Sequence, residues 1–452
     1  MRVINPATGE LVREVPEQDE LAVEERLEAA ERAFGSWRHY SFAERAGHLT
    51  SIADLLRDQS ASLARLLTEE MGKPIAAAES EVEKCAWVCD FYAEHAAGFL
   101  APETVATDAS RSFIRYDPLG PVLAIMPWNF PLWQFFRFAA PALMAGNVAL
   151  LKHAANVPGS ALAIEAAFHD AGFPAGVVTT LLISSERAQR LIRHPVVRAV
   201  TLTGSERAGM EVASEAGRHL KKCVLELGGS DPFIVLADAD PVEAARHAAK
   251  ARTTNSGQSC IAAKRFIVDD EVYDRFADEF TRAMEGLKVG DPTDRGTDLG
   301  PLARQDLLDA LDDQVRRTVE AGATLRTGGR RLEGKGWFYP PTVLAGVEPG
   351  MAAFDEETFG PVAAVIKARD AAHAVELANR SPFGLGASIW TGDPSRGESL
   401  APEIEAGCVF VNGAVKSDPR LPFGGVKHSG YGRELSAVGI REFTNIKTVW
   451  VK

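Results

Sequence analysis

Hydrophobic and polar positions follow two different rhythms along this chain, and the change comes near residue 120. Residues 19–36 (DELAVEERLEAAERAFGS) put Ala, Val and Leu on one side of a helical wheel and Glu and Arg on the other. Residues 42–70 and 76–100 repeat that pattern, so the first hundred residues are predicted to be mainly helical. From about 120, short apolar runs alternate with helical stretches. The runs are VLAIM (122–126), VALL (148–151), VTTLL (178–182), AVTL (199–202) and VLEL (224–227). Between them lie ALAIEAAFHDAG (161–172) and ERAQRLIR (186–193). A second set begins at FIVL (233–236) and continues through RFIV (265–268), a long helix at 304–321, VAAVI (362–366), ASIW (387–390) and CVFV (408–411). Apolar runs separated by helical segments predict βαβ units and parallel sheets covered on both faces. The expectation is an α/β protein with two blocks in series, dividing near Glu226–Gly229.

Composition agrees with a large soluble core. The 452 residues are 46% apolar and 25% charged, and at roughly 150 residues per domain the length suits two to three domains. The net charge of −13 disfavours nucleic acid and anionic membranes as partners, because both would repel the surface. Five cysteines, at 85, 89, 223, 260 and 408, are too few for a disulfide scaffold and suit a reducing compartment. Cys85 and Cys89 lie four apart with no histidine to complete a zinc set, so no metal site is expected. The start, MRVINPATGE, lacks the apolar stretch of a signal peptide. The uncharged stretch 118–136 carries four prolines, which exclude a spanning helix. A cytoplasmic protein is expected.

Neither a G-x-G-x-x-G fingerprint nor a phosphate-binding P-loop is present. What remains is Thr203-Gly204-Ser205, after the run AVTL and before a helical segment. A strand, a tight turn and a helix N-terminus suit an anion, although a plain N-cap serine reads the same way. Three other residues could carry chemistry. Cys260 sits in the small polar loop TNSGQSC, placed for exposure as a nucleophile or as an ordinary loop cysteine. Glu226 stands at the apolar end of a strand before Gly228-Gly229, where desolvation would raise its pKa and suit a general base, unless it faces solvent. Asn129, within PWNFP, is held rigidly enough to donate to an oxyanion or to close its own turn.

Together these motifs carry a resemblance. PWNFP (127–131), ELGG (226–229), GQSC (257–260), EETFGPV (356–362) and PFGGVK (422–427) occur in that order. The chain resembles the NAD(P)-dependent aldehyde dehydrogenase superfamily from Ile4 almost to its last residue. LELGGSDPFIV (225–235), CIAAKRFIV (260–268) and SGYGRELS (429–436) look most like bacterial succinate-semialdehyde dehydrogenases. The resemblance implies a nonstandard Rossmann domain over 1–226, a catalytic domain over 227–420, and a return segment with a C-terminal oligomerisation strand over 421–452. It implies that the last strand pairs with a hairpin near 107–117 in a homodimer or homotetramer.

It also implies roles. Cys260 attacks an aldehyde, Asn129 and the Cys260 N–H hold the oxyanion, and Glu226 activates the water that releases the acid. Trp128 and Lys152 would lie along the adenosine half of NAD or NADP. Gly204 and Ser205 would sit under the pyrophosphate, with Glu357 and Phe359 at the nicotinamide ribose and ring. Three residues after Lys152, where NAD-preferring members often have Glu, this chain has Ala155. NADP should therefore be tolerated or preferred, with Lys152 and His153 as candidate cations. Arg137 and Ser417 match positions that look like carboxylate ligands for succinate semialdehyde. Thr254 stands where some relatives have a second arginine, with Arg252 two residues away, and Lys416 and Asp418 also depart from the pattern. Glutarate semialdehyde and lactaldehyde remain alternative substrates, and a binding protein on the same fold is the non-catalytic alternative.

Overall fold

The computed structural model describes residues 1–452. Four helices precede the first parallel strand: Glu20–Trp37, Phe42–Asp58, Ser60–Met71 and Ile75–Phe99. The second begins with a reciprocal Ser41–Glu44 capping box. The stretch 42–70, expected as one helix, is broken at Gln59 (φ −92°, ψ 7°). Its buried residues Ile52, Leu56, Leu63 and Leu67 keep helical spacing across the break, so hydrophobic periodicity alone cannot reveal it.

Two parallel sheets follow, as the alternating runs predict. The first has six strands in the order Gly430–Tyr431, Lys222–Glu226, Ala199–Thr203, Pro121–Met126, Val148–His153, Val178–Thr180. Only the Gly430–Tyr431 edge is antiparallel, pairing Gly430 with Glu226. The second sheet has seven strands, parallel except for the antiparallel Thr324–Thr327 edge. Their order is Thr324–Thr327, Thr342–Ala345, Val362–Ala368, Arg265–Asp269, Pro232–Val235, Gly386–Trp390, Cys408–Val411. Successive residues in its interior strand Pro232–Val235 serve opposite faces. Phe233 and Val235 pack into one core and Ile234 into the other, which is why the run reads as continuously apolar. A third, antiparallel sheet joins Thr444–Val451 to Arg111–Pro118 and Glu103–Thr104. The hairpin thus begins a few residues earlier than expected. No helix is long and apolar enough to cross a membrane.

One buried ion pair shapes the approach to the site. Lys73 and Glu81 are paired with almost no exposure. The helix Trp133–Met144 has no side-chain cap of its own. Glu81 Oε1 caps it from a neighbouring helix, accepting from the N–H groups of Leu132 (2.9 Å) and Trp133 (3.0 Å). The Lys73 ammonium also stands 3.9 Å from the ring centroid of Phe130. The turn that carries Asn129 is therefore clamped from behind. Removing one partner of such a pair costs about 3–5 kcal/mol. At roughly 2 cal/mol/K per residue, Lys73→Ala should lower the thermal midpoint by about 3–5 °C in calorimetry. A shift below about one degree would mean that the pair contributes nothing net.

Candidate active site

Strand C-termini of the first sheet open into a cleft of about 730 Å³. Its walls include Trp128, Asn129, Lys152, Ala155, Gly204, Ser205, Cys260, Glu357 and Phe359, so residues far apart in sequence come together in one place. Ser205 is the N-cap of the helix Glu206–Arg218, its hydroxyl accepting from the Ala208 N–H. The first turn of that helix offers donors and a positive dipole end to an anion. Lys152 is buried, and burial holds its ammonium below its ordinary pKa. It donates to Ser185 Oγ at 3.1 Å, a wall residue that sequence reasoning missed. No carboxylate stands at Ala155 to repel a 2′-phosphate. These features fit a dinucleotide.

Two expectations about this cleft change. His153 is not a cationic partner: it is 3% exposed, it is absent from the cleft wall, and burial holds its imidazole down at about 4. Nε2 meets the Pro131 carbonyl at 2.8 Å, and Nδ1 accepts from the Ala154 N–H at 2.9 Å. Trp128 and Phe359, expected along opposite halves of the cofactor, meet edge to face with centroids 5.8 Å apart. They line one stretch of the cleft.

Cys260 lies at the head of a strained loop. Asn255 (φ 55°), Ser256 (φ 55°) and Gly257 (φ 78°) are three successive left-handed residues. At Gly257 a Cβ would come within 2.3 Å of the Gly360 carbonyl group, so only glycine fits. Asn129 Nδ2 and Asn255 Nδ2 both donate to the Gln258 carbonyl at 3.1 Å, which ties the loop to the asparagine turn. Lys264, fully buried, donates to the carbonyls of Ser259 (3.0 Å), Cys260 (2.8 Å) and Ala262 (3.1 Å). The same ammonium is 3.5 Å from Glu357, whose Oε1 accepts from the Gly229 N–H at 3.0 Å.

Glu226 lines neither this cleft nor the adjoining cavity. It is 2% exposed, and both carboxylate oxygens lack a hydrogen-bond partner. Burial, reinforced by nearby Glu434, pushes its pKa well above the usual carboxylate range, while Arg137 and Arg433 oppose the rise. Gly424 (φ 153°) leaves the space beside it, since a Cβ there would stand 2.7 Å from Glu226 Oε1.

Cys260 also opens onto a second cavity, of about 520 Å³, which contains both expected carboxylate ligands, Arg137 and Ser417. Within this cavity Arg137 is already engaged by other groups of the protein. It is ion-paired with buried Glu434, donates to Thr203 Oγ1 at 3.3 Å and lies over Phe423 at 4.8 Å. Arg252 cannot serve as a substitute: it is wholly buried and donates to the Gly257 carbonyl at 2.7 Å.

The aldehyde dehydrogenase family model matches residues 1–449. The chain belongs to the aldehyde dehydrogenase family. It is 54% identical to a probable NADP(+) succinate-semialdehyde dehydrogenase of Synechocystis, over 99% of each chain. It is 52% identical to an NADP(+) succinate-semialdehyde dehydrogenase of Mycobacterium avium, over 99% of this chain and 96% of that one. Among solved structures, succinic semialdehyde dehydrogenase from Streptococcus pyogenes in complex with NADP+ superposes with a TM-score of 0.97. That structure is 38% identical and covers 100% of this chain and 99% of its own. Lactaldehyde dehydrogenase from Escherichia coli superposes with a TM-score of 0.96 at 32% identity, covering 100% of this chain and 95% of its own. The α/β fold and the family expected from the motifs are both borne out.

In this aldehyde dehydrogenase, burial pushes the Cys260 thiol up to about 12, against the opposing pull of Arg137 and Lys264. Below that value the thiolate fraction rises tenfold per pH unit. Alkylation of Cys260 by iodoacetamide in the free enzyme, followed by peptide mass spectrometry, should climb about tenfold per unit between about pH 7 and 9. A plateau in that window would show that the thiol ionises near neutrality.

Proposed function

We propose that this chain oxidises succinate semialdehyde to succinate with NADP, through a thioester on Cys260. The observation that carries the reading is the position of Cys260. It stands in the wall of both the dinucleotide-sized cleft and a second, cation-lined cavity. A thiol shared by two chambers can meet an aldehyde from one side and a hydride acceptor from the other. The relatives' names and their 52–54% identity support the substrate and NADP.

The chain's own groups would act as follows. Sγ of Cys260, its proton given up to solvent, adds as thiolate to the aldehyde carbon, and the oxyanion would lie between the Cys260 N–H and the second N–H of Asn129, whose first is held by Gln258. When bound, the nicotinamide ring supplies the acceptor for the hydride that leaves the thiohemiacetal carbon. Glu357, fixed by Lys264 and the Gly229 N–H, would hold the nicotinamide ribose, and Phe359 would flank the ring. Lys152 would meet the adenosine ribose and its phosphate, and Gly204 and Ser205 the pyrophosphate. Glu226 then takes a proton from water, which attacks the thioester carbonyl and releases the acid and the thiol. Its buried position requires the side chain to rotate into the site for this step, and the space at Gly424 permits that. In this reading residues 1–226 form the cofactor unit, residues 227–420 the catalytic unit, and residues 421–452 return to both.

Kinetics on a panel of succinate semialdehyde, glutarate semialdehyde, lactaldehyde and butanal, each with NAD and NADP, test the reading. The highest kcat/KM is expected for succinate semialdehyde with NADP, and a better result with lactaldehyde would overturn it. In the same assay Ala155→Glu should lower the NADP/NAD efficiency ratio by about tenfold or more through repulsion of the 2′-phosphate. An unchanged ratio would show that Ala155 does not face that group.

We also propose a homo-oligomer in a cytoplasmic setting. The last strand exposes Ile446, Trp450 and Val451 on an edge sheet, which invites pairing or cover, and all five cysteines are free. Light scattering at micromolar concentration should give a multiple of the 48.6 kDa chain mass. A monomer mass would refute association.

A further inference from the structure

We propose that Lys84 is the cation that anchors the distal carboxylate of the substrate, acting together with Ser417. The inference rests on the reading that the second cavity receives an acidic aldehyde.

Five cationic side chains line that cavity: Lys73, Lys84, Arg137, Lys250 and Lys416. Two are already matched. Lys73 is paired with Glu81, and Arg137 with Glu434. Lys250 and Lys416 are exposed, so water and salt screen them. Lys84 is different. It is half-buried, and no carboxylate forms an ion pair with it. The cavity's Asp298 receives the Lys288 N–H at 2.9 Å, and neighbouring Asp418 is engaged by Arg420 Nε at 2.8 Å. Glu81, one helical turn before Lys84, is committed to Lys73 and the Leu132 and Trp133 amides.

An unmatched ammonium in a partly desolvated pocket is costly. Burial, with Arg137 adding repulsion, holds Lys84 down at about 8. An anion arriving in the cavity would relieve both effects. The side chain is already oriented for one. Nζ donates to Ser417 Oγ at 2.7 Å and stands 4.2 Å from the ring centroid of Trp133. One of its three N–H bonds is used, which leaves two for a ligand. Ser417 accepts from Lys84, so its own O–H is free to donate. A carboxylate placed between them would receive one charged and one neutral hydrogen bond. Arg137 lies further into the wall, with its charge offset by Glu434, and would add little net attraction.

The test uses the full-length enzyme and Lys84→Met, which keeps the stem that packs on Trp133. The ratio of kcat/KM for succinate semialdehyde to that for butanal should fall by about 10- to 100-fold, mainly through KM. Lys84→Arg should recover most of it. Equal losses on both aldehydes would assign Lys84 a purely structural role and overturn the proposal. So would an unchanged ratio in Lys84→Met alongside a collapsed ratio in Arg137→Met. A second readout does not depend on the substrate assignment. Succinate should inhibit butanal oxidation competitively with aldehyde in the wild type, with its inhibition constant raised at least tenfold in Lys84→Met. If the wild type shows no preference for succinate semialdehyde yet is inhibited by succinate through Lys84, the substrate reading fails and the anion site stands. If succinate inhibits both proteins equally, the anion site fails.

Discussion

An irregular loop buried between two sheets leaves carbonyl groups with no ladder to join, and this protein meets them with cations. Lys264 takes the carbonyls of Ser259, Cys260 and Ala262. Arg265 takes that of Ser230 and, at the end of the helix Ala371–Asn379, those of Leu377 and Ala378. Arg252 takes that of Gly257. All three side chains are buried. Main-chain carbonyls left without donors would each cost a full desolvation penalty. The thiol can sit on a strained, left-handed turn because the Lys264 and Arg252 contacts hold that turn from below. Glu357 is then oriented by the same Lys264 that holds the Cys260 loop, so that carboxylate and the thiol share a single point of reference.

The electrostatics behind the thiol follow from burying unlike charges in unequal numbers. Arg137 faces two buried carboxylates, Glu434 at ion-pair distance and Glu226 beyond it. Both acids are raised above their usual range, and burial is the largest cause for each. A carboxyl kept neutral there avoids two negative charges in a dry site, and one that loses its proton is a strong base.

Much of this was legible in the sequence. The strand runs and the division into two α/β blocks follow from apolar periodicity, and the family follows from five ordered motifs. Desolvation at Glu226 could be read from its place at the end of VLEL. What stayed hidden depends on tertiary partners. Nothing in the spacing shows that His153 turns inward to the Pro131 carbonyl, or that Arg137 meets Glu434 almost three hundred residues later. The break at Gln59 is masked by continuous helical spacing, and no glycine or proline marks it. Lys84 looked like one more charge on an amphipathic helix. Only the fold brings Ser417 against it.

The two cavities that meet at Cys260 share only that residue and Gln134 in their walls. The side chains that shape the dinucleotide-sized cleft are, apart from these two, different from those that shape the cation-lined cavity. Substitutions in one lining can therefore alter affinity on that flank and leave the other flank nearly unchanged.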